Sequence, residues 1–208
     1  MTGGRLAVAT ANAGKLREIR AILAGLDLEL VGLAELPPVA LPEEGDDYAA
    51  NAVAKARAVA RASGIAAVAD DSGLEVDALG GAPGPRSARY GGPGLDDAGR
   101  VARLLEALAG VPRAGRGARF VCVAALAEPG GSARTARGEC AGRILVAPRG
   151  SGGFGYDPVF WLEELGAAMS ELPAALKSRV SHRGRAFGVL RETVAAAQKR
   201  AKTSSGAG

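Results

Sequence analysis

Apolar residues in this chain fall alternately into short unbroken runs and into stripes spaced three and four apart. Runs of roughly four to eight read as buried strands, and such stripes as amphipathic helices. The first run predicts a strand over residues 5–10, and Leu16, Ile19, Ile22 and Leu23 predict a helix over 13–24. A second strand follows at 28–31. Residues 36–47 form a loop rich in proline and acid, and 48–62 a strong helix that Ser63-Gly64 ends. The run 65–69 is a strand entering Asp70-Asp71, followed by an extended 74–79 and a turn-rich 80–94. Residues 95–109 read as helix. Residues 119–126 and 134–140 pair as a hairpin about Glu128-Pro129-Gly130-Gly131, and 143–146 extends it. A short strand over 158–161 and a helix over 184–202 follow, then a small polar tail, 203–208, expected to be disordered. This alternation predicts an α/β fold. We expect one domain over 1–202, with a central mixed, elongated sheet flanked by helices, in two lobes around a cleft.

Composition narrows the class. The 208 residues are 48% hydrophobic and 23% charged, ordinary for a globular protein with a sizeable core. Aromatics are only 4%, so that core is built from small aliphatic side chains. The net charge of +4 favours anionic partners without separating a nucleotide from a nucleic acid. No basic run carries interleaved aromatics, so a nucleic-acid groove has no support. Cys122 lies inside an apolar run and reads as a buried thiol, and Cys140 has no partner at metal-ligand spacing. Two such cysteines make no disulfide framework and point to a reducing cytoplasm. No run suits a signal peptide or a membrane span, so no membrane partner is expected.

Five segments could carry chemistry. A strand ending in Asp70-Asp71-Ser72-Gly73 brings carboxylates to where α/β proteins place ligands, and carboxylates suit Mg²⁺. Its plain alternative is an Asp/Ser/Gly turn. Thr10-Ala11-Asn12-Ala13-Gly14-Lys15 opens a helix, whose free N–H groups and positive dipole end attract anions. It is no P-loop, because Ala9 and Leu16 stand at the first glycine and the Ser/Thr position. The acidic loop 42–47 precedes a helix bearing Asn51 and Lys55 one turn apart; taken alone, loop and pair read as solvated surface. In Gly152-Gly153-Phe154-Gly155-Tyr156-Asp157, glycines flank an aromatic able to stack on a planar base, and Asp157 can accept from base N–H groups. Lys177 and Ser181-His182-Arg183 supply donors to a base carbonyl, or simply a capped helix start. No G-x-S-x-G elbow provides a nucleophile for the single histidine.

Together these segments, with Leu79-Gly80-Gly81-Ala82-Pro83-Gly84 and Ser87-Ala88-Arg89-Tyr90, resemble the inosine triphosphate pyrophosphatase family over residues 6–190. This family is also called the dITP/XTP or noncanonical purine NTP pyrophosphatases. The resemblance implies hydrolysis of ITP, dITP and XTP to the monophosphate and pyrophosphate, with Mg²⁺, in a cytoplasmic homodimer. Thr10, Ala11, Asn12, Ala13, Gly14 and Lys15 would hold the triphosphate, and Ser72 would touch the substrate. Asp71 would activate water or bind the metal, and Glu43, with Glu44 adjacent, would be the second metal acid. Phe154, Gly155, Tyr156, Asp157, Lys177, His182 and Arg183 would line the base and ribose pocket. The chain departs from the family pattern at Ala50, where Glu is usual, at Asp47-Tyr48 for Thr-Phe, and at Arg86 for tyrosine. A pyrophosphatase for modified pyrimidine nucleotides and a nucleotide-binding protein with weak turnover remain the alternatives.

Overall fold

The computed structural model describes residues 4–205, with side chains to residue 196. Its strands are β1 (Gly4–Val8), β2 (Leu28–Gly32), β3 (Ala67–Val76), β4 (Pro83–Gly84), β5 (Gly117–Ala127), β6 (Ala133–Ile144), β7 (Phe160–Leu162) and β8 (Ala167–Ala168). Its helices are α1 (Ala13–Leu23), α2 (Tyr48–Ser63), α3 (Asp97–Ala107), α4 (Ala174–Val180) and α5 (His182–Ser205). Residues 206–208 of the expected tail lie outside the described residues. One sheet runs in the order β2-β1-β3-β5-β6-β7-β8, with β4 paired to β3. β1 is parallel to β2 and β3, and the other pairings are antiparallel, so the sheet is mixed as the alternation implied.

Local signals set the helix ends. The side chain of Asn12 accepts from Lys15 N and starts α1; Asp47 accepts from Ala50 N and starts α2. Gly64, at φ 69°, ends α2 in the left-handed region that glycine adopts without a Cβ penalty. On one face of the sheet, α1 and α5 cover Leu6, Val8, Val68 and Cys122 with Ile19, Leu23, Phe187 and Leu190. On the other, α2 sets Ala52, Ala56 and Val59 on Ala7, Ala69, Val121 and Val123. A third cluster fills the far end of the sheet, where α3 packs Val101, Leu104 and Leu108 against Leu74, Phe120 and Phe160. This second lobe leaves a cleft against the first.

The aspartate segment differs from expectation. β3 does not stop before Asp70; it pairs with β5 without interruption from Ala67↔Ala127 to Val76↔Ala118. Asp70 and Asp71 therefore sit mid-strand, and Ser72-Gly73 is strand rather than turn. Each carboxylate is held there by cations from neighbouring helices, which offsets the cost of burying charge. Gly73 lets β4 approach, since a Cβ there would clash with the Gly84 carbonyl oxygen. Other differences are additions: α4, β4 and β8 were not expected from the sequence, and α5 begins at His182 rather than at 184 and runs to Ser205, so residues 203–205 of the expected disordered tail are helical.

Candidate functional site

Side chains alternate between faces along a strand, and this separates the two adjacent aspartates. Asp70 faces α1 and α5. Its Oδ2 lies 3.2 Å from Lys15 Nζ and accepts from Arg183 Nη2 at 3.0 Å. Burial alone would raise its pKa, but Lys15, Arg183 and Lys55 outweigh burial and hold the carboxyl well below the usual range. Asp71 faces α2. Its Oδ2 accepts from Asn51 Nδ2 at 2.8 Å, and its Oδ1 lies 3.5 Å from Lys55 Nζ. For Asp71 burial wins: its pKa is raised, although Asn51 and Lys55 pull it down. Two neighbouring carboxylates are thus pushed in opposite directions by their surroundings, a pattern that separates a structural acid from a proton acceptor.

Lys55 is 5% exposed and bridges Asp71 to Glu44, whose Oε1 lies 2.5 Å from Nζ. The helical spacing of Asn51 and Lys55 does put them on one face, and the structure buries both against Asp71 rather than leaving them on the surface. Glu43 is exposed and lines no part of the cavity. Glu44 stands where the sequence reading put Glu43, because the acidic loop turns its second glutamate inward onto Lys55. Among the described residues no three His, Cys, Asp or Glu side chains cluster as a metal cage. Two carboxylates on one cavity wall are a donor set that fits Mg²⁺, which takes one or two protein carboxylates with substrate phosphates and water.

A cavity of about 300 Å³ joins these groups. Thr10, Ala11, Asn12, Lys15, Glu44, Asp71 and Ser72 line it together with Phe154, Gly155, Tyr156, Asp157, Lys177, His182 and Arg183. Ala13 and Gly14 do not line it. Gly14 instead lies beneath the Phe154 ring, which a Cβ there would meet at 2.7 Å. Lys177 Nζ and the Arg183 guanidinium lie 4.9 and 5.6 Å from the centre of that ring. His182 stacks on Phe120 at 4.6 Å, and burial lowers its pKa well below the ordinary histidine value, so the ring is neutral. Its Nδ1 is buried without a hydrogen-bond partner.

Three charged residues escaped the sequence reading. Glu18 lies 2.6 Å from both Lys177 Nζ and Arg183 Nη1, tying the two cations to α1. Its place one turn after Lys15 was the available signal. Asp97 and Arg100, in the first turns of α3, also line the cavity. An acid in a first helical turn is commonplace, so nothing in the sequence set Asp97 apart.

The Ham1 family model matches residues 6–193. The chain is 51% identical over 189 residues to a dITP/XTP pyrophosphatase of Geobacter sulfurreducens, covering 90% of this chain and 95% of that protein. It is 54% identical over 181 residues to a dITP/XTP pyrophosphatase of Gloeobacter violaceus, covering 87% and 89%. Among solved structures, a HAM1 protein from Coxiella burnetii superimposes with a TM-score of 0.81 at 36% identity, covering 93% of this chain and 98% of that one. The Staphylococcus aureus Ham1 protein gives 0.80 at 35% identity, covering 91% and 97%. The match spans both lobes and the cleft between them, and the chain belongs to the Ham1 family.

Proposed function

We propose that this chain hydrolyses noncanonical purine nucleoside triphosphates (ITP, dITP and XTP) to the monophosphate and pyrophosphate. One observation carries the reading: a single cavity joins a helix N-terminus with Lys15, the Asp71–Lys55–Glu44 group and the glycine-flanked Phe154. The relatives named dITP/XTP pyrophosphatase support it.

Water attacks the α-phosphorus, the bond to the bridging oxygen breaks, and pyrophosphate leaves. Asp71 takes the proton of that water. Its raised pKa makes it a better acceptor than a free carboxylate, and Asn51 fixes its orientation. The N-terminus of α1, Lys15 and Lys55 offset charge on the phosphate oxygens. Glu44 and Asp71 would hold Mg²⁺, which when bound adds charge neutralisation at the phosphates. At the other end, Lys177 and Arg183 donate toward a 6-keto purine; a 6-amino group there would face donors and leave them unpaired.

The test is pyrophosphate release from ITP, dITP, XTP, ATP and GTP with Mg²⁺. Release from the first three, lost in Asp71→Asn, supports the reading; ITP binding without release would leave a nucleotide-binding protein. We further infer a homodimer, resting on the family resemblance, which light scattering would check, and a cytoplasmic location, resting on two free buried cysteines. No described helix is long and apolar enough to cross a membrane.

A further inference from the structure

The loop that carries Phe154 is held by two carboxylates from different parts of the chain. Asp157, inside the loop, accepts from Phe154 N at 2.8 Å and is itself paired with Lys177. Asp97, 58 residues away in sequence on α3, accepts from Gly155 N at 2.7 Å. Its other oxygen accepts from Arg100 Nη2 at 2.7 Å, and Arg100 Nη1 donates back to the Leu95 carbonyl. Successive N–H groups on either side of the Phe154 carbonyl therefore each end on a carboxylate that has its own cation.

The loop needs such anchoring. Gly153 and Gly155 both have positive φ, 75° and 60°, so Phe154 is flanked by residues with little intrinsic conformational preference. Its ring sits over Gly14 with no spare room, at the start of the helix that faces the phosphates. A small shift of Gly155 would move the ring, while the start of α1 stays held by its own Asn12 cap and by the Lys15–Asp70 pair. Asp97 is not needed to start its own helix, because Asp96 caps α3 by accepting from Gly99 N. Burial would raise the Asp97 pKa, but Arg100 and Gly155 N lower it, so the anchor is ionised at neutral pH.

We infer that Asp97 is a positioning residue that fixes the Phe154 loop through Gly155 N and so sets recognition of the base, separately from the phosphate end. The inference rests on the proposed reading for the identity of the ligand. A hydrogen bond between a charged group and the backbone accounts for roughly a tenfold effect or more on a ligand that depends on it.

The experiment measures calorimetric binding of IMP and of inorganic triphosphate, with steady-state kinetics on ITP and ATP. It compares wild type, Asp97→Ala and Asp97→Asn. In Asp97→Ala, IMP binding weakens about tenfold, triphosphate binding is unchanged, KM for ITP rises more than kcat falls, and the ITP-to-ATP preference narrows. Asp97→Asn, whose amide oxygen still accepts from Gly155 N, recovers most of the IMP affinity. Equal loss for IMP and triphosphate, or unchanged IMP binding in Asp97→Ala, would overturn the inference. So would a fall in kcat with KM and base preference intact. If Asp97→Ala does not fold, Asp97→Ser, whose shorter side chain does not reach Gly155 N, takes its place: a roughly tenfold loss of IMP affinity that Asp97→Asn does not share supports the anchor, and equal IMP affinity in the two overturns it. Wild type that binds IMP but releases no pyrophosphate sinks the proposed function and leaves this comparison standing.

Discussion

At the scale of single residues, Asp70 and Asp71 show how far local sequence reaches. Their adjacency beside an apolar run marked the site, and the two-residue strand period sends them to opposite faces once β3 is known to continue. What the sequence did not disclose is that continuation, because it depends on Lys15, Arg183 and Lys55 arriving from three helices. The two positions respond differently to mutation. Asp70 is buried with a lowered pKa, so it stabilises the fold above its unfolded value of about 3.8, and that contribution is lost as pH falls below it. Asp70→Asn leaves Arg183 and Lys15 facing a neutral amide and costs roughly 3–5 kcal/mol, seen as a Tm lower by roughly 10 °C. Asp71 has a raised pKa, so its charged form at neutral pH opposes folding. Asp71→Asn therefore keeps or raises Tm while turnover drops roughly 10²-fold or more. In the wild type, kcat/KM falls on the acid side as Asp71 takes up a proton. An acid limb unchanged in Asp71→Asn with full turnover would remove the residue from the mechanism.

At the scale of elements, those with strong local signals were legible: α1 and α2 from their stripes and caps, the β5–β6 hairpin from its Pro-Gly-Gly turn. The elements missed were short or context-dependent. α4 has seven residues and no side-chain cap at its N-terminus, and β4 exists only because Gly73 admits it. Gly73→Ala places a methyl against the Gly84 carbonyl, a backbone atom that cannot rotate away. We expect a loss of roughly 1–3 kcal/mol in denaturant unfolding, and an unchanged midpoint would mean that β4 is free to move. α3 is fastened at its other end by Arg116, which is buried and donates to the carbonyls of Leu108, Val111 and Leu145. It neutralises the negative end of the helix and satisfies carbonyls that have no helical partner. Arg116→Met keeps much of the volume and removes the Arg116 donor from three carbonyls, of which Leu108 O keeps Val111 N, so urea unfolding shifts to lower concentration by the equivalent of roughly 2 kcal/mol. Because α3 also carries Asp97, this variant raises KM for ITP as well as lowering stability.

At the scale of the whole molecule, the ionic groups of the cleft form one connected chain. Lys15 meets Asp70, Asp70 meets Arg183, Arg183 meets Glu18, Glu18 meets Lys177, and Lys177 meets Asp157. That chain runs from the residue proposed to meet phosphate to those proposed to meet the base, and its members come from α1, β3, α4, α5 and the Phe154 loop. β3 and β5 likewise cross both lobes, since their residues contribute to the clusters on each sheet face and to the far-end cluster. A sheet shared in this way gives neither lobe a core of its own to retain when the other unfolds, and the molecule should melt as one cooperative unit. A ligand that spans the cleft then stabilises all of it. With a non-hydrolysable ITP analogue and Mg²⁺ at about a hundred times Kd, mass action adds about 2.7 kcal/mol, which moves Tm up by roughly 5–10 °C. Scanning calorimetry should show a single peak before and after addition, displaced as a whole. Two peaks, only one of which moves with ligand, would mean that the lobes unfold separately and that the cleft is a seam between independent units.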